Sequence, residues 1–136
     1  MTAVREEGQL GAAIDEVWKV VGDFGGFVEA MGVPVEVSGD GVGATRTITL
    51  GPSPTVERLE ELDNDAKRLV YSMVEGPLPL ENYVATMHLS AIDSGRTRLE
   101  WSSTFDPGAM TEGDAIQAVS GIYKGGIAGL RARFGA

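Results

Sequence analysis

ATRTITLGPSPTVERLEELD, from Ala44 to Asp63, reads as two extended segments joined by a turn rich in glycine and proline. In Thr45 to Leu50 the residues Arg46, Ile48 and Leu50 share one face, and Thr45, Thr47 and Thr49 share the other. In Thr55 to Leu62, Glu57 and Leu59 align against Val56, Arg58 and Glu60. Each predicted strand therefore carries a full charge, Arg46 or Glu57, on its otherwise apolar side. Two such charges on neighbouring strands must pair, because a buried charge without a partner is expensive. A slip of one residue in register would instead turn either of them to water.

The same period of two extends outward in both directions. From Val33 to Phe105, turns marked by GDG, GPSP, DND, GPLP and DSG divide the chain into about six antiparallel strands. RLVYSMV sets Leu69, Tyr71 and Met73 together, and ENYVATMHL sets Tyr83, Ala85, Met87 and Leu89 together. RLEWSSTF does the same for Leu99, Trp101, Ser103 and Phe105, while His88 falls on the opposite face. Upstream, Ala3 to Leu10 is a further predicted strand. AIDEVWKVVGDF then spaces Ile14, Val17, Trp18, Val21 and Phe24 along one helical face, and Gly25 and Gly26 interrupt it before a short turn from Phe27 to Met31. The expectation is a bent helix pair.

Downstream, Thr111 is a predicted N-cap, and Ile116, Val119, Tyr123, Ile127, Leu130 and Phe134 follow at helical spacing over about six turns. This helix contains Gly113, Gly121, Gly125, Gly126 and Gly129, each costing about 1 kcal/mol relative to alanine in a helix interior. Two explanations stand side by side: close packing of the helix backbone on the sheet, or space left for a ligand.

Composition removes several function classes. The 136 residues suit one domain, 1–136, with one core. No apolar run is long enough for a membrane span. The opening MTAVREEGQL has no secretory pattern and the chain has no cysteine, which predicts cytoplasmic residence. A formal net charge of -9 repels nucleic-acid backbones and anionic lipid surfaces, so neither is an expected partner. With one histidine and no cysteine, a Cys/His metal site and a Ser-His-Asp arrangement are not expected; GDGVG, ahead of a strand, is a turn and not a phosphate cradle. No cofactor is expected.

A strand, a bent helix pair, an antiparallel meander and a closing helix form the order of the α+β helix-grip fold, in which a curved sheet of about seven strands wraps a long C-terminal helix. GVGATRTITL, TVERLEELD, LVYSMVEGPLPLENYVATMHL and RTRLEWSSTFDPGAMTE together resemble the START/Bet v1-like superfamily, the polyketide cyclase/dehydrase-like group. Within it they are most similar to the branch of lachrymatory-factor synthase and the abscisic acid receptors. The resemblance covers Gly41 to Glu112 and implies a hollow between sheet and helix. It makes Arg46 and Glu57 the counterparts of the synthase's catalytic arginine and glutamate, and Tyr83 the counterpart of a cavity tyrosine. Trp101 and the Met-Thr-Glu at 110 to 112 resemble the synthase more than the receptors. The receptor gate is replaced by Gly51-Pro52-Ser53-Pro54, and the latch by Leu78-Pro79-Leu80 without its histidine and arginine. Nor is there a lysine placed to pair with a hormone carboxylate. These departures argue against a hormone-receptor role.

The expected ligand-binding residues are Arg46, Glu57, Tyr71, Met73, Tyr83, Met87, Trp101 and Tyr123. The reading favoured by the sequence is a monomer or homodimer that holds a lipid-like, aromatic or polyketide-like molecule, gated by the loops Leu50 to Pro54 and Gly76 to Leu80. The alternative is a synthase- or cyclase-type enzyme in which Glu57 moves a proton and Arg46 stabilises charge. A structural ion pair with no function remains open, as do tyrosines that merely pack.

Overall fold

The computed structural model describes residues 1–49 and 52–136. Its elements run β1 (Thr2–Leu10), α1 (Ile14–Val21), α2 (Phe24–Ala30), β2 (Val35–Ser38), β3 (Thr45–Ile48), β4 (Thr55–Asp63), β5 (Arg68–Glu75), β6 (Glu81–Asp93), β7 (Arg96–Asp106) and α3 (Glu112–Phe134). The strands form one antiparallel sheet in the order β1-β7-β6-β5-β4-β3-β2. Six of them are the meander expected from the turn signals. The first strand closes the far edge by pairing with β7, from Thr2 opposite Phe105 to Leu10 opposite Thr97. The sheet curves and α3 lies in its grip, so the helix-grip expectation holds.

The bend after β1 lies earlier than the glycine pair suggests. Helix α1 stops at Gly22, and Asp23 caps α2 by accepting a hydrogen bond from the Gly26 amide at 2.9 Å. Gly25 and Gly26 therefore sit inside the first turn of α2. A side chain that satisfies an orphan amide offsets much of the helix cost of two glycines in a first turn. Helix α1 itself has Asp15 and Glu16 in its first turn and Lys19 in its last, complementing the helix dipole. Its Trp18 donates through Nε1 to Asn64 Oδ1 at 2.9 Å, tying α1 to the β4–β5 turn.

The core lies between the concave face of the sheet and the helices. Leu59, Leu69, Ala85, Leu89, Leu99 and Phe105 supply the sheet side; Val119, Tyr123, Ile127 and Leu130 supply α3. Burying each large apolar side chain contributes roughly 1.5–3 kcal/mol. The helix comes close to β1 because Gly8 has no side chain: a Cβ there would stand 2.5 Å from Ile127 Cγ2. Period-two alternation holds along β3 and β4 until a register shift between Leu59 and Glu61, after which Leu62 also packs on the core. His88 is half-buried on the opposite face. Strand β3 ends at Ile48, and Leu50, expected to share its inner face, lies outside the described residues, as does Gly51 of the first gate turn.

Candidate functional site

Arg46 on β3 and Glu57 on β4 stand directly opposite one another in the ladder. Strand alternation aims both inward, and Arg46 is 3% exposed and Glu57 8%. Nε and Nη2 of the guanidinium each lie 2.8 Å from Glu57 Oε1. Its Nη1 donates to the Phe24 carbonyl oxygen at 2.7 Å. The Phe24 and Tyr71 rings cover the guanidinium, their centroids 4.1 and 4.8 Å from Cζ. Stacking of this kind suits the flat, weakly hydrated guanidinium better than it would an ammonium. Arg46 is thus held by β4, β5 and α2 together.

Glu57 is engaged on one side only. Both guanidinium contacts go to Oε1, and among the described residues no group donates to Oε2. Burial pushes the carboxyl above its ordinary value, against the opposing pull of Arg46's charge and hydrogen bond. Burial dominates, since the side chain is nearly dehydrated and only one of its oxygens is paired among the described residues.

That upward shift fixes the sign of a pH effect. The folded protein holds this proton more tightly than the unfolded chain, so the stabilising contribution is complete below the unfolded value near 4.5 and is lost as pH rises through the raised folded value. In Glu57→Gln this contribution disappears. Urea unfolding at stepped pH should show wild-type stability declining relative to the variant across that window, and parallel curves would mean that Glu57 titrates as it does in water.

The tyrosines sit next to the ion pair. Trp101 Nε1 donates to the Tyr71 hydroxyl at 3.1 Å, and the Tyr83 and Tyr123 hydroxyls are hydrogen-bonded to each other. Asn82, left-handed at φ 54°, precedes Tyr83 at a register shift of β6, a conformation asparagine tolerates. Burial raises all three phenols: Tyr71 and Tyr83 far beyond the ordinary range, and Tyr123 to about 12. They remain protonated and act as hydrogen-bonding groups, not bases.

Beside this cluster lies a hollow with two lobes. The larger, about 410 Å³, is walled by Phe27, Met31, Trp101 and the backbone of α3 at Gly121 and Gly125, with Arg46 at its base. The smaller, about 250 Å³, is bounded by Thr55, Met73, Leu78, Leu80, Tyr83 and Val119. Ile48, Glu57, Tyr71 and Ile122 border both. Of the residues expected from the sequence, Arg46, Glu57, Tyr71, Met73, Tyr83 and Trp101 are brought together here. Met87 and Tyr123 stand behind that wall, in the core: Met87 is 1% exposed, and Tyr123 stacks on Trp101 with ring centroids 4.5 Å apart. They support the lining and do not form it.

The α3 glycines divide by position into those that permit close packing and those that border open space. A Cβ on Gly126 would stand 2.5 Å from Trp101 Cζ3, and one on Gly129 would stand 2.7 Å from Met31 Sδ, so these two permit close packing. At Gly121 and Gly125, both exposed, a Cβ would meet nothing within 4 Å, and both line the larger lobe. Sequence reasoning did not identify Phe24 as the cap on Arg46, because the two are 22 residues apart and meet only when α2 folds back. It also left out Ile122, which lies off the core stripe of α3 and is 55% exposed. An isoleucine between two helix glycines was the available signal.

A larger open cleft, about 700 Å³, lies outside this site between α2 and the β2–β3 hairpin, lined by Gly25, Glu29, Val37 and Asp40 among others. It shares no residue with the ion pair, and its polar groups face solvent. No helix is long and apolar enough to cross a membrane, and no cluster of metal-ligating side chains occurs among the described residues.

Comparison with known proteins extends these observations. No curated protein matches the chain in sequence. The protein XoxI from Bacillus cereus superposes with a TM-score of 0.90 at 25% identity, covering 98% of this chain and 96% of that one. A protein from Nitrosospira multiformis gives 0.84 at 27% identity over 97% and 95% of the two chains. Norcoclaurine synthase from Thalictrum flavum, solved in complex with dopamine and hydroxybenzaldehyde, shares the fold, with a TM-score of 0.73 at 18% identity over 95% and 83%. The family model described as polyketide cyclase / dehydrase and lipid transport matches residues 1–135. With all but the final residue matched, and with the seven-stranded grip around α3 in place, this chain belongs to that family, within the START/Bet v1-like superfamily.

Proposed function

We propose that the chain binds a small hydrophobic molecule in the two-lobed hollow, with the Arg46–Glu57 pair as its polar anchor. One observation carries the reading: an apolar-walled cavity reaches a buried carboxylate whose second oxygen has no donor among the described residues. An apolar pocket with a few convergent polar groups is the ordinary form of a ligand site. Membership of a family described by polyketide and lipid chemistry supports the same ligand class. The contact the ligand gains is with Glu57 Oε2 more than with Arg46, whose guanidinium already bonds Glu57 and Phe24. Native mass spectrometry of protein purified from its own host tests this. An adduct that is present in the wild type and lost when Gly125→Leu fills the larger lobe is the expected result; bare chain in every preparation would overturn the proposal.

A second reading has its own support. A carboxyl raised by burial, with no donor to its second oxygen among the described residues, suits proton transfer to or from a bound molecule. On this reading Glu57 is the acid–base group, Arg46 tunes it, and the Tyr71 hydroxyl steadies charge on a developing oxygen. The two readings differ in Glu57→Gln. An enzyme should lose about 10²–10⁴-fold in turnover while retaining its ligand; a carrier has no turnover to lose.

A further inference from the structure

We infer that the hollow selects molecules that carry their hydrogen-bonding group between two apolar arms, one arm an aromatic ring or similarly flat unit and the other a short aliphatic chain. This rests on the binding reading above and names the ligand class that the geometry fits.

The placement of Glu57 is the first ground. Its carboxylate borders both lobes, as does Tyr71, so the polar group stands where the lobes meet and not at the end of either. A ligand polar at one end would either leave one lobe unfilled or draw its polar end away from the carboxylate. A ligand polar in the middle fills both lobes and satisfies Oε2. An alcohol or comparable group fits this position whether Glu57 is charged or neutral, because a hydroxyl both donates and accepts.

The second ground is the difference between the lobes. The larger is faced by Phe27 and Trp101, whose rings meet edge to face with centroids 5.8 Å apart. Trp101 is fixed further by its stack on Tyr123 and its hydrogen bond to Tyr71. Beside these rings the same lobe is lined by bare α3 backbone at Gly121 and Gly125, which leaves a smooth wall for a flat unit. In the smaller lobe Tyr83 is the one aromatic side chain besides the shared Tyr71, and Met73, Leu78, Leu80 and Val119 supply adaptable aliphatic walls suited to a chain.

Two isomeric alcohols test the inference. In 1-phenyl-1-hexanol the hydroxyl lies between the ring and the alkyl chain; in 6-phenyl-1-hexanol it lies at the chain end. Both would be titrated into the wild type by isothermal calorimetry. The first is expected to bind about tenfold more tightly, the size of effect that follows from leaving one buried polar group unsatisfied. In Gly125→Leu, with the larger lobe filled, that preference should vanish. Equal affinity of the wild type for the two isomers, or an unchanged preference in Gly125→Leu, would overturn the two-armed ligand and leave the binding cavity standing. Binding of neither alcohol would remove the cavity reading, and the inference with it.

Discussion

Arg46→Leu is expected to lose about 3–5 kcal/mol of folding stability near neutral pH, the usual cost of removing one partner from a buried ion pair. The loss has three parts, all visible around the guanidinium. The Glu57 carboxylate keeps its dehydrated position without a donor, the Phe24 carbonyl loses its hydrogen bond, and the stack between the Phe24 and Tyr71 rings opens. Chemical denaturation at pH 7 measures the sum. The double replacement Arg46→Leu with Glu57→Leu should recover most of it, because a well-packed apolar pair is often as stable as the buried ion pair it replaces. A single variant as stable as the wild type would mean that the pair is solvated and the inward reading of both strands is wrong.

The penalty also depends on pH in a known direction. Arg46 opposes the burial that raises Glu57, so its removal lets the carboxyl rise further. The unpaired group then escapes its cost by taking a proton. The difference between variant and wild type should therefore shrink in mildly acidic solution and grow as pH rises through the two folded-state values. This is the opposite of the surface carboxyls Glu60 and Asp93, whose partners hold them below their ordinary values and whose contribution is lost as pH falls.

Adjacent glycines on α3 should respond to alanine with opposite signs. Gly125→Ala is expected to stabilise the protein by about 1 kcal/mol, the helix-propensity difference, because its Cβ enters open space. Gly126→Ala gains the same propensity but brings its Cβ to 2.5 Å from Trp101 Cζ3 and 2.9 Å from Cη2. Trp101 has little freedom to retreat, with Tyr123 stacked on one side, Phe27 against its edge and its indole N–H committed to Tyr71. Overpacking of this kind costs about 1–3 kcal/mol, so a net loss is expected. Paired urea titrations give both values. Gly126→Ala at or above wild-type stability would show that Trp101 moves freely, and the wall of the larger lobe would then be soft.

Much of the architecture is legible in the chain because its signals are local. GDG, GPSP, DND, GPLP and DSG mark the turns, Thr111 marks the start of α3, and alternation assigns Leu59, Tyr71, Tyr83 and Trp101 to one face. The helix break is misplaced by a few residues for the same reason. Glycine is a conspicuous breaker, whereas an aspartate that accepts from the amide three residues on is recognised as a cap only from the bond it makes.

The sequence by itself determined that Arg46 and Glu57 lie on the otherwise apolar side of neighbouring strands so long as the register holds, since period-two alternation depends only on backbone geometry and composition. Three things were decided by the tertiary structure: that Phe24 caps the guanidinium, that Glu57 stands where two lobes meet, and that Gly125 faces space while Gly126 touches an indole. Each depends on how far one element stands from another across the core. That separation is set by the packing of side chains distant in sequence, and no local pattern in the chain encodes it.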